Sequence, residues 1–332
     1  MLAIQKDKTK KLLEEFIFPI LPSHLATMIN RIPTARLACL TEIRMRANRV
    51  LLLVLGNVDI MLSPRGEIVT DQSAAYQCNR EDINTTLQLI SKNSLYAFEQ
   101  ELKMGFLTIN GGHRVGLTGQ TVVDGGEIKA LKNFSSLNIR MAREIKGCAD
   151  KVMPYIIDER KNVLSTLVIS APCCGKTTLL RDLVRQISTG NAEFRGLQVG
   201  VVDERSEIAA CKNGIPTVDL GQRTDVLDGC PKASGMLMLI RSMSPAVIAT
   251  DELGRAEDVC AVREALHAGV SVLATVHGRD INEVLQRPYV GELIQHKYFD
   301  RYVVLSDRPR VGTVEKIIDS KHDKILWDAL QK

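Results

Sequence analysis

The sequence predicts a two-part α/β protein, in which a smaller α+β domain precedes a domain built on a mainly parallel sheet. Beyond residue 160, short apolar segments alternate with amphipathic helical segments, which is typical of a parallel sheet with helices on both faces. Before residue 145, helical segments are followed by segments in which polar and apolar residues alternate. We therefore predict one domain over residues 1–145 and a second over residues 146–332.

The first domain is predicted to begin with helices and to continue as a meander of strands. Residues 1–40 have apolar positions at helical spacing, interrupted at Pro19 and Pro22. From Glu42 onward polar and apolar residues alternate between turn residues, which favours strands. The other predicted elements are a helical segment at 80–105 with Asn79 as its cap and Gly105 as its stop, and strands at 106–123 and 137–142.

The second domain is predicted to repeat a strand and a helix along its length. Its apolar segments are five to ten residues long, and its helical segments carry an apolar face. The predicted strands are 162–171, 197–204, 246–250, 271–278, 302–306 and 311–318, and the predicted helices are 176–188, 232–243, 256–269 and 282–298, the last interrupted at Pro288.

Composition excludes some functional classes. The formal net charge is +4, from 43 Lys and Arg against 39 Asp and Glu, an excess too small to indicate nucleic-acid binding. No apolar run approaches the roughly 20 residues that span a bilayer, so we expect no direct membrane insertion. The N-terminal residues are too charged for a signal peptide. The expected location is the cytoplasm, with any membrane contact made through a protein partner.

Residues 170–177 match the phosphate-binding pattern G-x-x-x-x-G-K-[ST], except that Ser170 replaces the first glycine. Serine is small enough for that position if its backbone conformation is not one that only glycine adopts. In such a loop, backbone N–H groups point at phosphate oxygens, while Lys176 reaches the β- and γ-phosphates and Thr177 holds Mg²⁺. The predicted nucleotide-binding residues are Ser170, Ala171, Pro172, Cys173, Cys174, Gly175, Lys176, Thr177 and Thr178.

The adjacent pair Cys173–Cys174 is interpreted as small filling residues of this loop. None of the eight cysteines forms a C-x-x-C pair or has zinc-binding spacing to histidines. Adjacent cysteines also have poor geometry for a disulfide. We therefore interpret the cysteines as reduced thiols that serve as small apolar side chains.

A second motif is an apolar strand that ends in Asp251–Glu252, within AVIATDELG. This is the Walker B arrangement, in which the first acid holds the Mg²⁺ shell and the second polarises the attacking water. The alternative is an ordinary strand followed by a helix whose positive N-terminus attracts the acids. The phosphate loop upstream favours the Walker B interpretation.

Polar residues also follow two other predicted strands. Asp203, Glu204 and Glu207 come after one strand, and His277 comes at the end of another. The carboxyl ends of parallel strands share one edge, where ligands bind, so we expect these side chains near the phosphate loop. The alternative for each is a solvated or helix-capping group.

These motifs resemble the Asp box, Walker B motif and His box of the type II/type IV secretion ATPase superfamily. Within it, four segments resemble the stage III sporulation protein AA family: CCGKTTLLRD, VVDERSEIA, GQRTDVLDGCPKASGM and IRSMSPAVIATDELG. The similarity runs over about residues 40–320 and is densest from 166 to 280. Three features depart from the pattern: Ser170 replaces glycine, Asp251 stands where glycine is common, and no four-cysteine zinc site is present.

The resemblance implies a RecA-like P-loop ATPase of endospore-forming bacteria that uses ATP and Mg²⁺. It would energise or assemble a secretion-like channel between mother cell and forespore, as a homohexameric ring docked on membrane proteins of that channel. Asp251 and Thr177 would hold Mg²⁺, and Glu252 would activate water. The cleft would be lined by Asp203, Glu204, Glu207 and His277.

Three arginines of the first domain are candidates for a positive charge supplied to a neighbouring subunit's γ-phosphate, namely Arg114, Arg140 and Arg143. The alternative is that they make surface ion pairs.

Two other functions stay open. One is a RecA-type ATPase acting on single-stranded nucleic acid, which 4% aromatic content disfavours. The other is a nucleotide-gated scaffold with little hydrolysis, which Glu252 disfavours.

Overall fold

The computed structural model describes residues 9–56, 58–92, 102, 105–141, 145–211 and 213–329. The chain separates into two compact units, Met1–Ala142 (unit 1) and Arg143–Lys332 (unit 2). Each unit combines helices with β-sheet, so the prediction of a mixed α/β protein is confirmed. Among the described residues, no helix is both long and apolar enough to cross a bilayer.

Unit 1 is organised around antiparallel strands. Its strands are β1 (Leu40–Arg46), β2 (Arg49–Val50), β3 (Leu52–Leu55), β4 (Val58–Leu62), β5 (Ile68–Val69), β6 (Gln77–Cys78), β7 (Phe106–Ile109), β8 (His113–Asp124) and β9 (Glu127–Arg140). Seven of them form one sheet in the order β5-β4-β3-β1-β9-β8-β7, and β2 pairs with β6. Its helices are α1 (Ser23–Asn30), α2 (Thr34–Leu37) and α3 (Arg80–Ser91), with a π-helical turn at Leu13–Ile17 and 3₁₀ turns at Phe18–Ile20, Gln72–Ala74 and Asn110–Gly112.

Helix α3 begins at a reciprocal cap. The Asn79 side chain accepts from the backbone N–H of Asp82 (2.8 Å), and the Asp82 carboxylate accepts from the backbone N–H of Asn79 (2.9 Å). The predicted cap is therefore confirmed. The helix ends at Ser91, where Lys92 adopts left-handed backbone (φ 48°), and most of the predicted helical segment beyond it lies outside the described residues.

Unit 2 alternates strands with helices. Its strands are β10 (Thr166–Ser170), β11 (Val199–Asp203), β12 (Thr224–Asp228), β13 (Val247–Thr250), β14 (Ser271–His277), β15 (Arg301–Ser306), β16 (Thr313–Asp319) and β17 (Lys324–Asp328). Its helices are α4 (Met153–Ile156), α5 (Lys176–Thr189), α6 (Lys232–Met243), α7 (Ala256–His267), α8 (Ile281–Leu285) and α9 (Val290–Gln295).

These strands form one sheet in the order β12-β11-β13-β14-β10-β15-β16-β17. The pairs from β12 to β15 are parallel, and β16 and β17 add an antiparallel edge. Strand β14 lies between β10 and β13, and β15 lies on the other side of β10. The carboxyl ends of β10, β11, β13 and β14 therefore share one edge of the sheet.

Both faces of this sheet are covered by apolar side chains. Along β10, Val168 belongs to one core cluster while Leu167 and Ile169 belong to another, as strand alternation requires. Helix α6 packs directly on β11, because a Cβ at Gly235 would lie only 2.5 Å from Val202 Cγ1. The predicted apolar face of α5 is wholly buried: Leu179, Leu180, Leu183, Val184 and Ile187.

Two strands of unit 2, β12 and β17, are not among the strands predicted from the sequence. Both lie at an edge of the sheet, and neither contains a fully buried residue. An edge strand buries little, so its sequence carries a weak apolar pattern, and pairing with a distant neighbour decides its conformation.

Replacing Asn79 by alanine should destabilise the protein, because the Asp82 N–H loses its acceptor at the start of α3. The expected loss is about 1 kcal/mol of unfolding free energy, measured by urea unfolding followed by far-ultraviolet circular dichroism. Gln88→Ala, at an exposed position of the same helix, is the matched control. Equal unfolding midpoints for the two variants would show that the cap contributes nothing.

Candidate nucleotide-binding site

The phosphate-loop segment connects the end of β10 to the start of α5. Ser170 is a fully buried strand residue and does not adopt positive φ, so its position does not require glycine. Gly175 has φ 88°, in the left-handed region that favours glycine. Cys173 also has positive φ (61°) and is exposed, whereas Cys174 is buried. The replacement of the first glycine is thus compatible with the loop's backbone.

Lys176, the first residue of α5, is buried at the centre of the site. Its Nζ donates to the backbone carbonyls of Ser170 and Ala171, each at 3.0 Å, and approaches Nδ1 of His277 at 2.9 Å. Burial lowers the pKa of Lys176. Lys176 therefore connects the carboxyl ends of β10 and β14.

His277 connects the lysine to the acid of the Walker B segment. Its position follows from the sheet, because Ser170 and His277 are register partners at the ends of β10 and β14. An ammonium group only donates, so Nδ1 of His277 accepts from Lys176 and the ring proton lies on Nε2. Nε2 then donates to Glu252 Oε1 at 3.1 Å.

Glu252 is held in a strained backbone conformation just beyond β13. Its φ is 41°, which is unusual for a residue with a side chain, and such strain collects at functional sites. Its backbone N–H donates to Thr275 Oγ1 (2.8 Å), and the N–H of Leu253 donates to the Thr275 carbonyl (2.8 Å). Arg205 donates to the carboxylate at 2.9 Å. His277 and Arg205 thus hold the carboxylate from two sides, and about a third of the Glu252 side chain remains exposed to solvent.

Asp251 is almost completely buried, and its Oδ1 has no hydrogen-bond partner among the described residues. The pKa of Asp251 is raised to about 7, mainly by burial and in part by the neighbouring Asp203 carboxylate. An anionic oxygen without a donor is suited to a cation, so Asp251 fits the predicted role of a Mg²⁺-holding residue. The other predicted residue, Thr177, is half-buried at the start of α5.

The acids at the end of β11 and in the loop after it, Asp203, Glu204 and Glu207, have different surroundings. Asp203 is fully buried and accepts from the backbone N–H groups of Glu207, Ile208 and Ala209 at 2.8–2.9 Å. These hydrogen bonds fix the backbone of the loop that follows β11. Burial raises its pKa to about 6. Glu204 pairs with Lys232. Their assignment as catalytic residues stays a prediction.

A cavity of about 200 Å³ adjoins Glu252 and His277. It is smaller than the roughly 300–1,000 Å³ of typical ligand pockets. Four cationic residues that sequence reasoning did not single out also line it: Arg205, Lys232, Arg255 and Arg287. Arg205 and Lys232 lie inside the quoted segments VVDERSEIA and GQRTDVLDGCPKASGM, so a signal for them was present.

Two of the three candidate arginines, both in unit 1, lie side by side. Arg114 and Arg140 are register partners on β8 and β9. The Arg114 guanidinium lies 4.2 Å from the Phe106 ring centroid, and Arg140 Nε is 3.5 Å from Glu42 Oε1. Arg143 lies outside the described residues. An ion pair, the alternative noted above, is therefore present at Arg140, and a role in trans stays a prediction.

Two solved structures share this fold. The ATPase DotB of Legionella pneumophila has a TM-score of 0.53 at 15% identity, covering 80% of this chain and 72% of that one. The ATPase DotB of Yersinia pseudotuberculosis has a TM-score of 0.53 at 14% identity, covering 91% and 78%. This likeness shows that the chain has the fold of these two ATPases.

The chain belongs to the family Sporulation stage III, protein AA, which matches residues 11–325. A relative in this family is Stage III sporulation protein AA of Bacillus subtilis (strain 168). It is 44% identical over 303 residues, which cover 91% of this chain and 94% of the relative. The resemblance drawn from the four sequence segments is thereby confirmed.

Replacing Asp251 by asparagine should stabilise the protein at neutral and alkaline pH, in the presence of a chelator of Mg²⁺ and in the absence of nucleotide. The pKa of Asp251 rises from 3.8 to about 7 on folding, so its ionisation opposes folding as pH increases through that interval. We expect the gain in unfolding free energy to be larger at pH 8 than at pH 5 by at least about 1 kcal/mol.

Urea unfolding at the two pH values measures this difference. Asp59→Asn, which removes an exposed carboxylate of unit 1, is the control and should change stability equally at both pH values. A gain from Asp251→Asn that does not depend on pH would contradict the account of its burial.

Proposed function

We propose that this protein is a Mg²⁺-dependent ATPase that works as a homohexameric ring and energises or assembles a secretion-like channel during endospore formation. The observation that carries the proposal is the hydrogen-bonded series Lys176–His277–Glu252. It joins the lysine of the phosphate-loop motif to the acid of the Walker B motif through the histidine of a neighbouring strand. Three motifs distant in sequence thus meet at one edge of the sheet.

Binding of the triphosphate relies on the loop and on Lys176. Backbone N–H groups at the start of α5 carry partial positive charge and are suited to phosphate oxygens. Lys176 is buried and donates to neutral carbonyls and to the neutral Nδ1 of His277, so a phosphate oxygen would be a stronger acceptor for it. Thr177 and Asp251 are the residues that would hold Mg²⁺, which neutralises phosphate charge when bound.

Hydrolysis requires a group that orients the attacking water. Glu252 lines the cavity. Its carboxylate is positioned by the hydrogen bond from His277 Nε2 and by the ion pair with Arg205. Its carboxylate can accept a proton or a hydrogen bond from water in that cavity. His277 contacts both Lys176 and Glu252. Displacement of the lysine toward a phosphate would therefore change the hydrogen bond between His277 and Glu252.

The cellular role is proposed from the family. The B. subtilis relative is named as a stage III sporulation protein, and the DotB structures are ATPases. An ATPase of the secretion class in sporulation would act on a channel across the mother cell and forespore membranes. We place the chain in the cytoplasm, bound peripherally to membrane proteins of that channel, and we expect neither nucleic-acid binding nor membrane insertion.

The ring would add positive charge on the γ-phosphate side of each site, beside the four cationic residues of the same unit 2 that line the cavity. Arg114 and Arg140 lie directly opposite each other on antiparallel strands, where like charges are unfavourable. A paired arrangement of this kind is suited to an anion presented by another subunit. An arginine supplied in trans contributes about 10³–10⁵ to the rate in P-loop enzymes.

Lys176→Ala should lose nucleotide binding, and Glu252→Gln should bind ATP with turnover reduced about 100-fold or more, because it loses the carboxylate that faces developing charge. Phosphate release measures turnover, and fluorescent-nucleotide titration measures binding. Lys324→Ala and Glu159→Gln change the same residue types at exposed positions and should keep wild-type values. Wild-type turnover in Glu252→Gln would remove this residue from the mechanism.

Turnover per subunit should rise with protein concentration as rings form. Mixing Lys176→Ala subunits with Arg140→Ala subunits should restore part of the activity, because some interfaces then combine an intact Lys176 with a neighbour's intact Arg140. Light scattering of the same samples reports the oligomeric state. A rate per subunit that stays flat from monomer to oligomer would contradict the arrangement in trans.

A further inference from the structure

The loop Asp307–Gly312, which joins β15 to β16, lies against the phosphate-loop motif of the same subunit. A Cβ placed on Gly175 would be 3.3 Å from Gly312 Cα and 3.6 Å from Val311 Cγ1. Burial raises the pKa of the Cys174 thiol, and the carboxylate of Asp307 adds to that effect, which places the acid nearby as well. The two loops are therefore neighbours, although about 135 residues of sequence separate them.

Strand order places this loop opposite the catalytic groups. β10 lies between β14 and β15, with His277 at the end of β14 and Asp307–Gly312 following β15. The Walker B acid Glu252 lies on the β14 side, where it contacts His277. A triphosphate with its γ end at Lys176 and Glu252 has its nucleoside end away from them. The loop after β15 lies on that far side.

The side chains of this loop have the chemistry of a base contact. Arg308 and Arg310 are exposed, and among the residues that the structure describes neither makes an ion pair. Val311 is 54% exposed, although it is apolar and beside the phosphate-loop motif. The backbone is anchored, since Thr313 Oγ1 donates to the Arg310 carbonyl at 2.7 Å. A planar guanidinium stacks on aromatic rings, and an aliphatic side chain packs against a ring face.

We propose that Arg308, Arg310 and Val311 form the subsite for the base and ribose of the bound nucleotide, in the same subunit as the phosphate loop. The inference rests on the proposed function, because it assumes that the loop at 170–177 holds the phosphates. It adds a nucleoside-recognising element that neither the phosphate-loop pattern nor the Walker B pattern contains.

The test compares two ligands that share three phosphates and differ in the nucleoside. Adenosine 5′-(β,γ-imido)triphosphate and inorganic tripolyphosphate are titrated calorimetrically, with Mg²⁺, into the full chain. Arg308→Ala combined with Arg310→Ala should weaken the adenosine ligand about 10-fold or more, and should leave tripolyphosphate within about 2-fold of wild type. Lys176→Ala should weaken both ligands.

Two further variants sharpen the comparison. Arg308→Lys combined with Arg310→Lys keeps both charges but removes the planar groups, so the adenosine ligand should remain weakened. Arg160→Ala removes an exposed arginine before the amino end of β10, at the opposite edge of the sheet, and should bind both ligands like wild type.

Equal weakening of both ligands by the double alanine variant would place the arginines on phosphates and overturn the nucleoside subsite. Wild-type affinity of that variant for both ligands would overturn any contact of the loop with the nucleotide. In either case, loss of both ligands in Lys176→Ala would leave the proposed function intact. A wild-type chain that binds neither ligand would instead contradict the proposed function and this inference together.

Discussion

The parallel pairing of β10 with β14 is the constraint on which the candidate site depends. It makes Ser170, the first residue of the phosphate-loop motif, the register partner of His277. The histidine ring then reaches Lys176 with one nitrogen and Glu252 with the other. A slip of one residue in this register would turn the His277 side chain to the other face of the sheet. The hydrogen-bonded series Lys176–His277–Glu252 therefore requires this register between β10 and β14.

The polar groups at the carboxyl-end edge of the unit 2 sheet lower the stability of the fold. The apolar layers on both faces of the sheet compensate for this loss. Asp203 and Asp251 are buried carboxyl groups with raised pKa values, and Cys173 and Glu252 hold positive φ. Each of these features opposes folding, and features of this kind collect where a site must be preorganised. Continuous apolar strands covered by helices on both faces offset them.

Unit 1 shows the same principle on an antiparallel sheet. Register places Arg140 between Arg114 on β8 and Glu42 on β1, so one neighbour repels it and the other attracts it. The Phe106 ring beneath the Arg114 guanidinium gives that second cation a favourable contact. Both units thus use strand register to hold charged groups in fixed positions, where flexible loops would leave them mobile.

The sequence by itself determined the features that depend on near neighbours along the chain. Local spacing and residue type predict the apolar face of α5, the bounds of α6, the cap at Asn79 and the two motifs of the candidate site. Tertiary structure alone decided the contacts between distant segments, namely the Lys176–His277 contact across 101 positions, the Arg205–Glu252 pair and the position of Gly312 beside Gly175. The physical reason is that strand order and register arise from long-range burial of apolar side chains, which no local pattern specifies.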